Sequence, residues 1–84
     1  MNEELKNILV ENECLLADGF DDCVLTYTVG YSTRAVYSTS RIILKLMKEG
    51  MDEETALEHF SYNIIGGIPS GDNAPVFIYD TPFD

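Results

Sequence analysis

The chain has no tryptophan, one histidine (His59) and two cysteines among its 84 residues. Each scarcity removes a class of chemistry. Zinc sites on helices draw on ligands one turn apart, and the positions one turn from His59 are Thr55 and Asn63. A Cys-His nucleophilic pair needs a thiol brought to the ring in space, and Cys14 and Cys23 are both distant from His59 in sequence. No GxSxG, HExxH, CxxC or Walker pattern is present. The residues therefore point away from an enzyme, and they imply no cofactor and no metal. Basic residues are also few: five against 15 acids, for a net charge of −10. Binding nucleic acid through its phosphates, or binding an anionic membrane, needs the opposite balance. No apolar run approaches the roughly 18 residues of a membrane span. The opening MNEELKNILVENE lacks the basic start of a secretion signal, so the expected compartment is the cytoplasm. Two reduced thiols are expected there.

What is present argues for a folded domain. Apolar residues make up 45% of the chain, with five tyrosines and four phenylalanines. Its length fits one small domain spanning 1–84. The organising stretch is Thr39–Gly67, which reads as two helices joined at Gly50. Ser38, Thr39 or Ser40 can cap the first helix. Ile42, Ile43, Leu46 and Met47 form its apolar face, with Arg41, Lys45 and Lys48 opposite. Gly50 suits the left-handed residue that ends a helix. Asp52 caps the second helix, with Glu53 and Glu54 in its first turn. Met51 before the cap can pack on Ala56. Ala56, Leu57, Phe60 and Ile64 face inward, Glu54, Glu58 and Tyr62 outward, and Gly66-Gly67 closes the helix.

Residues 2–12 predict a leading amphipathic helix capped by Asn2. Asp18-Gly19-Phe20-Asp21-Asp22 is a turn. Its carboxylates do not match a Ca²⁺ loop, which needs alternating ligands and a distal glutamate, so it is expected to be a solvated turn, helped by the helix dipole or by Arg34. Cys23–Val29 alternates as a strand, with Cys23, Leu25, Tyr27 and Val29 on one side. Thr33–Tyr37 returns from a turn at Gly30, with Ala35 and Tyr37 facing opposite to Arg34 and Val36. Residues 66–75 form a glycine-rich loop. It follows a helix rather than preceding one, which is the wrong placement for cradling phosphate. The apolar run Pro75–Tyr79 suggests a strand buried on both faces, or one that pairs across a subunit interface, and Asp80–Asp84 reads as a frayed tail in which Phe83 can anchor. The expected fold is α+β, ordered α-β-β-α-α-β, with a small three-stranded sheet packed on the helix pair. Its second face is left for Tyr27, Tyr31, Tyr37 and Tyr79, or for a second subunit of a homo-oligomer.

Three segments, DGFDDCVLTY, AVYSTSRIILKLMKEGMDEETALEHFSYNIIGG and PVFI, together resemble a family of small uncharacterised proteins of tailed bacteriophages and prophages. The likeness covers about residues 18–78. It rests on Asp18, Gly19, Phe20, Tyr37, Gly50, Met51, Glu54, Ala56, Phe60, Asn63, Gly66, Gly71 and Pro75. The loop departs from the pattern at Ile68-Pro69-Ser70 and Asp72-Asn73-Ala74-Pro75. The resemblance carries no activity or binding role. It implies a small accessory protein of a phage or mobile element, working in the cytoplasm of a bacterial host.

Two functions follow from these features. The first is a non-enzymatic acidic protein-interaction module that binds a basic protein, for instance as a modulator of a host or defence protein. The second is an oligomeric binder of a nucleotide-like signal. It would use Arg34, Arg41 and Lys45 for phosphate, Tyr37 for stacking, and Gly66, Gly67 and Gly71 for close approach. A structural or assembly accessory is a third possibility.

Overall fold

The computed structural model describes residues 1–80. Helix α1 (Glu3–Glu11) leads into a short 3-10 turn (Asp21–Cys23) and strand β1 (Val24–Tyr27). Strand β2 (Ala35–Ser38), helix α2 (Thr39–Lys48) and helix α3 (Glu53–His59) follow, and β3 (Val76–Ile78) is the last element among the described residues. The fold is α+β with the expected element order. Among the described residues, no helix is long and apolar enough to cross a membrane. Phe83 and the rest of the tail from residue 81 lie outside the described residues.

Each helix begins where a side chain satisfies a free backbone N–H. Asn2, Ser38 and Asp52 accept from Leu5, Arg41 and Thr55 respectively. Two helices end in the same way, with a left-handed residue letting the chain fold back on the last turn. After α2 that residue is Gly50, with the Met51 N–H bonded to the Leu46 carbonyl. After α1 it is Glu13, at φ 53°, with the Cys14 N–H bonded to the Leu9 carbonyl. Glycine takes this conformation freely; glutamate takes it at a cost.

The sheet order is β1-β2-β3, antiparallel between β1 and β2 and parallel between β2 and β3. The central strand is therefore β2, and all four of its residues are buried. This corrects the expectation that Pro75–Tyr79 is the doubly buried strand. β3 lies on an edge, where Ile78 and Tyr79 are exposed. The register brings Tyr27 and Ala35 together on one face and Thr26 and Val36 on the other. Ala35, Tyr37 and Val24 join the main core, with Leu9, Ile42, Leu46, Ala56, Phe60 and Ile64. Phe77 lies between Tyr37 and Phe60, at centroid distances of 5.4 and 5.3 Å. Tyr27 and Tyr37 thus turn inward instead of covering the second face, and Tyr31 is exposed in its turn.

Three local expectations are corrected. In β1, Leu25 is an extra residue in the register between Val24 and Thr26. This bulge breaks the simple alternation, while Cys23 is buried in the preceding 3-10 turn and Val29 lies exposed beyond the strand's end. Met47 and Leu57 stand at the margins of their helices' apolar faces and are exposed. Asp80 is tied down, because the Ser38 hydroxyl that caps α2 donates to its carboxylate.

Candidate functional site

The residues suggested for an anionic ligand fall in separate places. Tyr37 is fully buried, and its hydroxyl accepts from the Ala17 N–H at 2.8 Å. It is a core residue and has no exposed ring face for a base, contrary to its expected stacking role. Arg34 and Gly71 do meet, but through the backbone. The Arg34 Nη1 donates to the Gly71 and Ala74 carbonyls at 3.0 and 3.1 Å, while its Nε donates to Ser32 Oγ. The loop is held further by Asn73, whose side chain donates to the Glu13 carbonyl and whose own carbonyl accepts from the Leu15 N–H. Arg34 is therefore a clasp on the 71–74 segment.

Arg41 and Lys45 share a face of α2 and line a depression of about 410 Å³ with Asp22, Cys23, Leu44 and Lys48. Lys45 is already engaged. Its ammonium donates to the Gly19 carbonyl at 2.6 Å and to Asp22 at 2.9 Å, and it stands 5.6 Å from the centre of the Phe20 ring. The cation that steadies the acidic turn is thus Lys45, while Arg34, one of the expected alternatives, is engaged elsewhere. Its hydrogen bond holds the Asp22 carboxyl below the usual range. Beside it, burial foremost and then the Asp22 charge push the Cys23 thiol up to about 11. Cys14 and Cys23 are both free thiols.

Gly66 and Gly67 belong to a fourth place. Beyond α3 the helix continues through Phe60–Ile65 with a wider, π-type winding, closed by the Gly66 N–H on the Ser61 carbonyl. A Cβ on Gly66 would lie 2.5 Å from the Tyr62 carbonyl oxygen, and one on Gly67 would lie 2.7 Å from that of Asn63. Both glycines are needed for the chain to close this turn. Gly67 also borders an apolar groove of about 390 Å³ with Leu16, Phe20, Ile64 and Ile68. Asp18 and Asn63 are the polar residues that border it, and no Lys or Arg lines it.

The outer side of α3 and its π-type turn brings acidic, aromatic and aliphatic side chains together at the surface. Glu54, Glu58 and Tyr62 repeat every four residues along it, and Tyr62 is 78% exposed. Leu57 and Ile65 add exposed aliphatic surface along the same helix. Asp52 and Glu53 extend the negative charge to the helix start. The Asp52 carboxyl is lowered by its bonds to Thr55. None of these carboxylates is neutralised, since the one ion pair among the described residues is Lys45–Asp22. The outward spacing of Glu54, Glu58 and Tyr62 was legible in the sequence. The π-type winding and the exposure of Leu57 and Ile65 were not. No family model, curated protein or solved structure matches the chain.

Proposed function

We propose that the protein is a non-enzymatic interaction module whose contact face is the outer side of α3 and its π-type turn. The partner is a basic protein surface. The observation that carries this reading is the combination of unpaired carboxylates at Glu53, Glu54 and Glu58 with exposed Leu57, Tyr62 and Ile65 on one helix. Interfaces need both parts. Apolar and aromatic anchors supply affinity, and complementary charge supplies approach rate and register. The resemblance to small phage and prophage proteins supports a bacterial cytoplasmic setting, with a host or defence protein as the target.

The test is capture from bacterial lysate by the wild-type chain, by Glu54→Lys with Glu58→Lys, and by Glu3→Lys with Glu4→Lys on α1. The reading predicts proteins that are lost with the α3 pair, kept with the α1 pair, and released as salt rises past the range where exposed charges are screened. A captured set indifferent to both the α3 charges and salt would refute it.

A further inference from the structure

On the reading of α3's outer side just given, the geometry points to a seat for one arginine side chain of the partner, built by the junction between α3 and its π-type turn. The junction leaves a depression of about 250 Å³ bordered by Thr55, Glu58, His59, Tyr62 and Asn63. Drug-sized ligands occupy pockets of roughly 300–1,000 Å³; this one has room for a single long side chain.

Its chemistry is acceptor-rich around an aromatic ring. The Asn63 amide nitrogen lies 3.0 Å from His59 Nδ1, so the amide donates to the ring and its Oδ1 is left to accept. Glu58 contributes the single carboxylate and Thr55 a hydroxyl oxygen. Tyr62 contributes a ring that the solvent reaches almost freely. A guanidinium matches all of these at once. It is planar and stacks on a tyrosine, it carries five donors in a fixed fork, and its charge opposes that of Glu58. A lysine ammonium satisfies the charge but cannot stack as a plane or divide its donors in the same way. The π-type winding is central to the arrangement. Its wider turn carries Tyr62 and Asn63 past the junction, and Gly66 and Gly67 permit that winding because neither carries a Cβ.

The experiment uses the full chain, ¹⁵N-labelled, titrated with two peptides of equal length and charge. One carries four arginines and the other four lysines in the same alanine-glycine frame. The arginine peptide is expected to shift the amides of Glu58, Tyr62 and Asn63 and to bind about two- to fivefold tighter than the lysine peptide. Tyr62→Leu should remove that preference, Tyr62→Phe should keep it, and Glu58→Gln should weaken both peptides. Equal binding of both peptides, unchanged by Tyr62→Leu, overturns the arginine seat and leaves the acidic contact face standing. Absence of any shift on α3 with either peptide overturns both.

Discussion

Removing one oxygen atom tests how the core is tied together. Tyr37 sits in the central strand with no exposed surface. In Tyr37→Phe the ring keeps its packing against Phe77, and only the hydroxyl goes. That hydroxyl is the acceptor for the Ala17 N–H at 2.8 Å, in a buried position. Ala17 lies in the irregular stretch between α1 and β1, so its N–H has no ladder or helix to fall back on. A buried donor stripped of its acceptor costs about 1–3 kcal/mol. Taking about 2 kcal/mol, a domain of this size loses roughly 8–16 °C in Tm. Urea titration followed by far-ultraviolet circular dichroism measures the change, and tyrosine fluorescence is a second probe in a chain without tryptophan. The denaturant slope should be unchanged, because the same surface is exposed on unfolding. Hydrogen exchange at the Ala17 amide should quicken in the variant. A loss under about 0.5 kcal/mol, with Ala17 exchange unchanged, would refute the view that this bond fastens the stretch to the sheet.

Other substitutions probe the remaining ties. Arg34→Ala removes two charged hydrogen bonds to the Gly71 and Ala74 carbonyls. It should cost about 1.5–3 kcal/mol by urea titration and sensitise the 71–74 segment to protease. Glu13→Gly relieves a left-handed glutamate and should raise stability by about 1 kcal/mol, read as a higher urea midpoint. Stability should also fall at alkaline pH. The folded chain holds the Cys23 proton up to about 11 against an ordinary 9.0. The unfolded thiol therefore ionises first, and stability present below pH 9 is lost as pH rises toward 11. Burial raises Tyr37 in the same sense. Urea midpoints measured from pH 7 to 11 should decline less steeply in Cys23→Ala.

Features determined by neighbours in the chain were readable from the residues. Asn2 and Asp52 cap helices because a short polar side chain reaches an N–H three residues on, and Ser38, one of three candidates with Thr39 and Ser40, caps α2 in the same way. Gly50 ends α2 because a left-handed residue is needed there. Features determined by sheet order were not readable. Ala35–Ser38 and Val76–Ile78 are both short apolar runs, and which one is central depends on which strand has two partners. Tyr37 looked available for stacking because the sheet's second face was left for tyrosines to cover. Its burial follows from the central place of β2. The proposed anionic-ligand residues were adjacent in composition but are distributed by the topology. Arg34 goes to the 71–74 loop, Lys45 to the Asp18–Asp22 turn, and Gly66 and Gly67 to the end of the helix. The π-type turn has no periodicity signal of its own, since Phe60 and Ile64 suit an ordinary helix equally well. The glycine pair following it was the available cue.

The parallel pairing of β2 with β3 has a kinetic consequence. β1 and β2 are joined by a short turn and can pair early. Val36 pairs with Val76 across both intervening helices, so that contact closes a loop of roughly forty residues. β3 contributes three residues at an edge, so it should be the last element to lock and the first to open. Its amides should then exchange through a partial opening that leaves β1, β2 and α2 protected. In such an opening Phe77 withdraws from between Tyr37 and Phe60, exposing an aromatic slot for as long as the strand is away.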